Sequence, residues 1–414
     1  MNRTKILTVL VLTFLAISCQ KDNDHLVEYD KLVNATLVRN ISEEEMKALF
    51  VFVKQFFPEI PDYSQHVISG VNVYYLEYAS TYLDGEPIVL SGVVCAPDDA
   101  SQNSMIVSIQ YGTLAEHSKA PSNDLENPVF LLMQAMSSLG YVIVIQDYIG
   151  FGASEDYPHP YHVKPLFQSA TKDILIATNE MAQSGDYSFQ LTGELFLTGY
   201  SLGGWASLVS HHHLESDPIP GLTLIGSACG AGAYNLLDMQ RYLFEQTNYE
   251  QPYYIALLFS GYKSVGIIQD DLSLFFSEPY DLRIPDLIDG EHSPGQINSR
   301  LTTNIQELFS RRLLTEFDLH PDYAPLKQAL EDNSQQAWLN KAPVHLFHGD
   351  ADKDVPFSIS ENLFADFQSI GMGSDKIRFV PMEGADHSSG SMSMFKMVME
   401  MLQDGDIGIK RSFQ

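Results

Sequence analysis

The stretch Gly199-Tyr200-Ser201-Leu202-Gly203-Gly204 follows a strand-like run, Leu195-Phe196-Leu197, and opens a predicted helix. Glycines two residues before and two residues after the serine permit a tight strand-to-helix turn in which a larger side chain would clash. Such a turn lifts the serine hydroxyl above the sheet edge, and the helix N-terminus beside it presents backbone N–H groups to an oxyanion. The plain alternative is a turn of small residues that only lets the helix pack. The context favours Ser201 as a nucleophile.

Short apolar runs without polar alternation flank this motif, as expected of strands that are buried on both faces of a parallel sheet. Helical segments lie between most of these runs. This alternation predicts an α/β fold with a mostly parallel sheet and helices on both faces. The predicted strands are residues 105–111, 141–146, 194–198, 222–226, 344–347 and 376–380, and the predicted helices are residues 128–139, 165–184, 202–214, 358–370 and 391–403.

Two parts of the chain depart from the alternation. Near the start, Ser42-Glu43-Glu44-Glu45 is a capping box that opens a helix, and Asp84-Gly85 predicts a hairpin between strands at 71–82 and 88–96. Later, residues 234–339 are rich in Tyr, Phe and Leu and are interrupted by prolines. A structureless loop of that length is implausible. We therefore predict a helical cap inserted into a core formed by residues 41–233 and 340–414.

The composition excludes several classes of protein. The 414 residues contain 45% hydrophobic side chains, which is enough to bury a large core. Lys and Arg number 24 against 53 Asp and Glu, a formal net charge of −29 that repels phosphate backbones. A nucleic-acid partner is therefore excluded. Three cysteines rule out a disulfide scaffold and any CxxC zinc module. Cys95 and Cys229 lie in or beside apolar runs that predict buried thiols; a disulfide between them is the alternative if their strands meet.

The N-terminus has the pattern of an export signal. A short basic start precedes about a dozen apolar residues, which is too short to span a bilayer and typical of a signal peptide. Leu15-Ala16-Ile17-Ser18-Cys19 resembles a bacterial lipobox, which predicts a signal peptide over residues 1–18 and lipidation of Cys19; an ordinary secretory signal is the alternative. Residues 19–40 would form a polar tether. The protein would then be exported and held in the outer membrane, at the cell surface in one interpretation, through its lipid anchor alone.

A nucleophilic serine needs a base, and thirteen histidines compete for that role. His387, in Glu383-Gly384-Ala385-Asp386-His387, follows the last predicted strand and precedes the last helix. A loop at that position can return to the sheet edge where Ser201 lies. His211-His212-His213 is at the far end of the helix that Ser201 opens, about 18 Å away. We therefore predict that His387 is the base.

The base needs an acid that fixes its tautomer. After the strand at 344–347, the run His348-Gly349-Asp350-Ala351-Asp352-Lys353-Asp354-Val355-Pro356 offers three alternating aspartates. Asp352 fits best, because Val355-Pro356 then ends the loop where the next helix begins. Asp350 and Asp354 suit turn and capping roles. The run also resembles a calcium loop, but position 6 is Val355 instead of glycine, so we predict no metal.

The order Ser201, Asp352, His387, each after its own strand, resembles the α/β-hydrolase fold over residues 68–404. The resemblance implies that these residues are nucleophile, acid and base. Gln110-Tyr111-Gly112-Thr113 is similar to the first oxyanion loop of the family, which implies N–H donation by Thr113 or Leu114 together with Leu202. Asp147-Tyr148-Ile149-Gly150-Phe151-Gly152, His159-Pro160-Tyr161 and the cap resemble secretory lipases, with some likeness to prolyl-oligopeptidase-type hydrolases.

These features predict a serine hydrolase that cleaves small-molecule esters or lipids without a cofactor. A serine peptidase is the alternative, because the cap carries acidic residues at Asp270, Asp271, Glu278 and Asp281. A binding protein that keeps the fold without the chemistry is a third interpretation. The cap aromatics would either line an acyl-binding trench or form a core of the cap itself; they are Tyr253, Tyr254, Phe259, Phe275 and Phe276.

Overall fold

The structure, a computed structural model, describes residues 30–405 except residues 57, 59, 100, 102 and 270. In this part of the chain, nine strands form one sheet. The strands are β1 Leu32–Ile41, β2 Val71–Thr81, β3 Pro87–Pro97, β4 Asn103–Gln110, β5 Tyr141–Gln146, β6 Gln190–Tyr200, β7 Thr223–Gly230, β8 Val344–Gly349 and β9 Ile377–Met382.

Thirteen α-helices lie between or after these strands within the described ranges. They are α1 Glu43–Phe56, α2 Pro128–Ser137, α3 Lys164–Ser184, α4 Leu202–Ser216, α5 Leu236–Glu245, α6 Pro252–Ser264, α7 Tyr280–Leu287, α8 Pro294–Arg300, α9 Ile305–Leu308, α10 Arg311–Glu316, α11 Ala324–Asp332, α12 Ser358–Ser369 and α13 His387–Asp404. Among the residues that the structure describes, no helix combines the length and apolar character needed to cross a bilayer.

The sheet is antiparallel at one end and parallel over the rest. Its order is β1-β2-β3-β5-β4-β6-β7-β8-β9. β1, β2 and β3 form an antiparallel meander, and β3 pairs antiparallel with β5, whereas the neighbours from β5 onward pair in parallel. Every residue of β5 and β8 is buried, so both faces of the sheet are covered. The predicted mostly parallel sheet with helices on both faces is confirmed. Cys95 and Cys229 lie in it as buried free thiols.

The N-terminal edge of the sheet differs from the prediction. Residues 19–40 were expected to form a tether, but Leu32–Ile41 is strand β1, paired with β2. The Glu180 carboxylate on α3 holds the start of this strand, because it accepts the N–H groups of Asp30 at 3.0 Å and Leu32 at 2.7 Å. The tether prediction is therefore wrong for this stretch. Residues 1–29, with Cys19 and the predicted signal peptide, lie outside the described residues.

Two local sequence signals produce the predicted structures. Before α1, Ser42 Oγ accepts the Glu45 N–H at 3.3 Å, and the Glu45 carboxylate accepts the Ser42 N–H at 2.9 Å. Between β2 and β3, Asp84 and Gly85 have φ values of 54° and 80°, which are the left-handed conformations that a tight hairpin requires. Both signals act over a few residues, so they do not depend on the rest of the fold.

Helices α5 to α11 lie between β7 and β8 and belong to the predicted cap, residues 234–339. They enclose an aromatic cluster of their own: the ring of Phe259 packs against Phe275 and Phe276 at centroid distances of 5.0 and 4.8 Å. The indole Nε1 of Trp205, on α4, donates to the carbonyl of Asn333 at 3.0 Å. The cap is thus internally packed and joined to the helix that Ser201 opens.

The Glu180→Ala variant tests the assignment of β1. Removing the carboxylate leaves partly buried N–H groups at the start of the strand without their acceptor, which costs about 1–3 kcal/mol. We expect faster amide hydrogen exchange over residues 31–36 in Glu180→Ala. Gln183→Ala, an exposed position on the same helix, is the control and should exchange like wild type. Equal exchange in both variants would show that this carboxylate does not hold the strand.

Candidate active site

Ser201 lies at the turn between β6 and α4 with φ 60° and ψ −124°, a conformation that non-glycine residues rarely adopt. The turn passes very close to the end of β4. A Cβ atom on Gly199 would lie 2.4 Å from the carbonyl oxygen of Gln110, and a Cβ on Gly203 would lie 1.9 Å from it. The Ser201 N–H donates to the carbonyl of Gly230 at 2.8 Å. Both glycines are therefore required for this backbone path.

The structure brings Ser201, His387 and Asp352 together. The Nε2 atom of His387 lies 2.9 Å from Ser201 Oγ, and its Nδ1 atom lies 2.6 Å from Asp352 Oδ2. Because an ionised carboxylate can only accept, Nδ1–H donates to Asp352, and Nε2 is left to accept the serine hydroxyl proton. The three side chains form one hydrogen-bonded line, although 186 positions separate Ser201 from His387.

His387 is held at this place by the start of α13. The helix begins at His387, four residues before the predicted start, because Asp386 and Ser389 form a capping box. The Asp386 carboxylate accepts the Ser389 N–H at 2.8 Å, and Ser389 Oγ accepts the Asp386 N–H at 3.0 Å. The ring of Tyr200 packs against the imidazole at a centroid distance of 5.2 Å. Capping and ring packing together orient the His387 imidazole towards Ser201.

Asp352 is buried in the loop after β8. Its Oδ1 atom accepts the N–H groups of Asp354 at 2.9 Å and Val355 at 3.0 Å, which leaves Oδ2 for His387. Burial opposes ionisation of this carboxyl group, but the hydrogen bonds from His348 and His387 outweigh it and lower the pKa of Asp352 to about 2. Asp352 is therefore ionised at neutral pH and can stabilise a protonated His387.

His348 is a part of the site that sequence reasoning did not find. Its side chain is fully buried, and its Nε2–H donates to the Val355 carbonyl at 2.9 Å while lying 3.3 Å from Asp352 Oδ2. Ser360 Oγ lies 2.6 Å from its other ring nitrogen. His348 thus ties the loop that carries Asp352 to α12. Its position just before the last residue of strand β8, four residues before Asp352, is the signal that could have identified it.

The loop after β4, beside the Ser201 turn, is held from two sides. Thr113 Oγ1 shares a hydrogen bond with the Tyr161 hydroxyl at 2.7 Å, and the Tyr148 hydroxyl donates to the Tyr111 carbonyl at 2.9 Å. Thr113 lines the same cavity as Ser201. Leu202 is the first residue of α4, where a backbone N–H has no partner within the helix. Thr113 and Leu202, two of the three candidate oxyanion donors, therefore lie beside Ser201, whereas Leu114 does not line the cavity.

Asp147 explains why the stretch after β5 has a defined shape. The side chain is buried, and its carboxylate accepts the Ser91 hydroxyl at 2.7 Å and the Ser122 N–H at 3.0 Å. Burial raises the pKa of Asp147 despite these hydrogen bonds. A Cβ on Gly152 would lie 2.4 Å from this carboxylate. The sequence motif that begins at Asp147 is thus a structural brace for the loop that includes Tyr148.

A cavity of about 460 Å³ opens at Ser201 and His387. One part of its wall is apolar and is formed by α2 and α13, whereas Gln251, Tyr254 and Asp354 form a polar part. Of the cap aromatics considered for an acyl trench, Tyr254 lines this cavity. Phe259, Phe275 and Phe276 do not, because they pack on one another inside the cap. For these three residues, the interpretation as cap core is the correct one.

The other candidate residues lie elsewhere. His211 is buried, accepts from Ser227 Oγ at 2.8 Å and donates to Glu215 at 3.1 Å, so it anchors the end of α4. Asp350 accepts the Gly384 N–H at 2.7 Å and stabilises the loop before His387. The acidic cap residues do not line the cavity; those described are Asp271, Glu278 and Asp281, and Asp270 lies outside the described residues.

Within the described ranges, no group of three or more His, Cys, Asp or Glu side chains is arranged to hold a metal ion. The stretch that resembles a calcium loop leads from β8 into α12, instead of joining two helices. Its Asp352 carboxylate is directed to His387 and to backbone N–H groups. Asp352 therefore serves the imidazole and its own loop, Asp350 stabilises the loop before His387, and Asp354 lines the cavity.

Comparison with known proteins identifies the fold. No family model matches the chain, and no curated protein matches its sequence. A solved structure of a Legionella pneumophila protein proposed to be a hydrolase is 23% identical with a TM-score of 0.81, covering 93% of this chain and 100% of that one. The rice cell wall degrading esterase LipA from Xanthomonas oryzae is 22% identical with a TM-score of 0.72, covering 93% and 98%. Candida antarctica lipase A is 16% identical with a TM-score of 0.63, covering 94% and 84%. The chain has the α/β-hydrolase fold, as the motif order predicted.

The lowered pKa of Asp352 predicts a pH-dependent stability. In the unfolded chain this carboxyl group returns to its ordinary pKa of 3.8. Because the folded pKa is lower, ionised Asp352 stabilises the folded protein fully above pH 4, and this contribution is lost as the pH falls towards 2. The difference corresponds to about 2 kcal/mol. In urea unfolding, Asp352→Asn should be less stable than wild type at pH 5, and the gap should narrow by about this amount by pH 2. A gap that stays constant over this range would contradict the assignment.

Proposed function

We propose that this protein is a serine hydrolase of carboxylic esters, an esterase or lipase. The observation that carries the proposal is the line of hydrogen bonds from Ser201 Oγ to His387 Nε2 at 2.9 Å and from His387 Nδ1 to Asp352 at 2.6 Å. A serine hydroxyl is a weak nucleophile near neutral pH unless a base takes its proton. This arrangement supplies the base together with a carboxylate that stabilises its cation.

In the proposed reaction, Ser201 Oγ attacks the ester carbonyl carbon while its proton passes to His387 Nε2. The carbonyl oxygen becomes an oxyanion, and the tetrahedral intermediate collapses as the alcohol leaves with the proton from Nε2. Water, deprotonated by His387, then attacks the acyl-enzyme. The carboxylic acid leaves, and the proton returns to Ser201. Asp352 stays ionised throughout, because its pKa is about 2.

The oxyanion would be held by backbone N–H groups of Leu202 and Thr113. Leu202 begins α4, so its N–H points out of the helix N-terminus, where negative charge is favoured. Thr113 is held in place through Tyr161. Losing one donor of this kind typically costs about 10²–10³ in rate. The rigid loop and the helix end therefore provide the preorganised site that acyl transfer needs.

The ester class is supported by the cavity and by the fold neighbours. The wall along α2 and α13 is apolar, which suits an acyl chain more than a charged peptide terminus. Two of the three solved structures to which the chain is similar are an esterase and a lipase. The peptidase alternative rested on carboxylates in the cap, and Asp271, Glu278 and Asp281 do not line the cavity. The hydrogen bonds that link Ser201, His387 and Asp352 argue against a binding protein without catalytic activity.

The Ser201→Ala variant tests the mechanism. We expect wild type to cleave p-nitrophenyl esters and the variant to lose about 10⁴-fold or more in kcat, because the nucleophile is gone. Ser216→Ala, an exposed serine at the end of the same helix, is the matched control and should keep wild-type turnover. Full turnover by Ser201→Ala would refute the proposal.

Two further assays separate the alternatives. A fluorophosphonate probe should label wild type and not Ser201→Ala, whereas a binding protein with an inert serine would not be labelled at all. Cleavage of aminoacyl-naphthylamides faster than of esters would instead favour a peptidase.

We also propose that the protein is exported and anchored in the outer membrane through lipid on Cys19, on the strength of the sequence over residues 1–24. Cells fed an alkyne-tagged fatty acid should produce labelled wild-type protein and unlabelled Cys19→Ser protein. Several acyl chains on one cysteine suffice for stable anchoring, at about 0.8 kcal/mol per buried methylene. Unlabelled wild-type protein in the medium would show that the export signal is an ordinary secretory one.

A further inference from the structure

Two helices leave a gap over the middle of the sheet. Helix α2 packs against β2, β3 and β5, and helix α13 packs against β7 and β8. In the sheet order, β4 and β6 lie between these two groups of strands. Ile109 of β4 and Thr198 of β6 are directly paired, and both line the active-site cavity. The cavity therefore continues from Ser201 into the gap between α2 and α13, with these strands as its floor.

Both helices run down the sheet away from the catalytic residues. Helix α2 follows β4, and α13 begins at His387 itself, so each starts at the edge where the parallel strands end. The cavity-lining residues of α2 are Val129, Leu132, Met133 and Met136, a spacing that places them on one helix face. This face is entirely apolar and lines the same cavity as α13.

Helix α13 presents a matching face. Its lining residues include Ser391, Met392, Phe395 and Val398, which again recur at the spacing of one helix face. The serine lies near His387, and the apolar residues follow further along the helix. The gap also becomes more enclosed in that direction: Val129 is 42% exposed, whereas Met136 and Val398 are 1% and 3% exposed. We call this gap the α2–α13 channel.

The length of the channel sets the size of its occupant. The stretches that line the channel, Ser391 to Val398 on α13 and Val129 to Met136 on α2, each rise about 10 Å along their helix. An extended chain advances roughly 1.1–1.2 Å per bond, the value for an extended peptide backbone. The channel thus matches an extended hydrocarbon chain of about eight to twelve carbons.

We propose that the α2–α13 channel holds the acyl chain of the substrate, and that the protein prefers esters of linear fatty acids of about eight to twelve carbons. This inference rests on the proposed ester hydrolysis at Ser201. The carbonyl group lies at Ser201, the chain extends along α13, and the leaving alcohol faces the polar part of the cavity at Gln251, Tyr254 and Asp354. Methionines on both helices suit this role, because their flexible side chains adapt to a moving chain.

The test is the chain-length profile of wild type and of variants that block or deepen the channel. With p-nitrophenyl esters from acetate to palmitate, kcat/KM of wild type should rise by up to about fourfold per methylene and stop rising at eight to twelve carbons. Met136→Trp and Val398→Phe place bulk at the deep end from opposite walls. Each should lower the ratio of kcat/KM for decanoate to that for butyrate by about tenfold or more. Met136→Ala should move the optimum to longer chains.

Leu131→Phe is the matched control, because Leu131 lies on α2 but does not line the cavity. It should keep the wild-type ratio of decanoate to butyrate. Circular dichroism and thermal unfolding identify variants that do not fold. The two blocking variants act from different helices, so a folding failure in one leaves the other to test the channel. An unchanged ratio in a folded blocking variant overturns the proposal.

Binding of decanoic acid, measured by calorimetry, separates this inference from the proposed function. Decanoic acid should bind wild type and Leu131→Phe and should bind Met136→Trp at least about tenfold more weakly. If wild type cleaves no ester but shows this pattern of binding, the ester hydrolysis is wrong and the acyl channel stands. If esters are cleaved but decanoic acid binds Met136→Trp as well as wild type, the channel is wrong and the hydrolase stands.

Discussion

The close approach between the end of β4 and the turn at Ser201 is the constraint on which the site depends. The carbonyl oxygen of Gln110 occupies the space that a side chain at Gly203 would need, 1.9 Å from its Cβ position. In the turn that makes this approach, Ser201 has a positive φ, and its hydroxyl lies 2.9 Å from His387 Nε2. The loop that follows Gln110, with Thr113, lines the same cavity as Ser201. One close backbone contact therefore joins the Ser201 turn to one wall of the proposed oxyanion site.

The electrostatics of the site follow from hydrogen-bond donors more than from net charge. Asp352 and Asp354 are two residues apart in one loop, and burial opposes the ionisation of both. Asp352 receives two backbone N–H groups and lies against two histidines, and its pKa falls to about 2. Burial raises the pKa of Asp354, which faces the cavity. The local partners of these two carboxyl groups thus shift their pKa values in opposite directions, although the chain as a whole carries a formal charge of −29.

The cap and the core contribute different parts of the cavity wall. The aromatic residues of the cap are used for its own packing, and the cap contributes Gln251 and Tyr254 to the polar part of the cavity. The apolar wall comes from the core, where the spacing of α2 and α13 leaves β4 and β6 as a floor. A fold that covers its sheet with helices must place each of them over particular strands. The position left uncovered here is the cavity that opens at Ser201 and His387.

By itself, the sequence determined the features that act over short distances. The Ser201 turn, the capping box at Ser42, the Asp84-Gly85 hairpin and the alternation of buried strands and helices are set by backbone sterics and by periodicity, so they could be predicted from neighbouring residues. The order of strands also pointed to Asp352 and His387. Tertiary structure alone decided what depends on residues far apart in the chain: the pairing of Leu32–Ile41 with β2, the contact of His348 with Asp352, and the gap between α2 and α13. These features arise from packing between strands and helices that are distant in sequence. The spacing of residues along the chain does not indicate which strands and helices will meet.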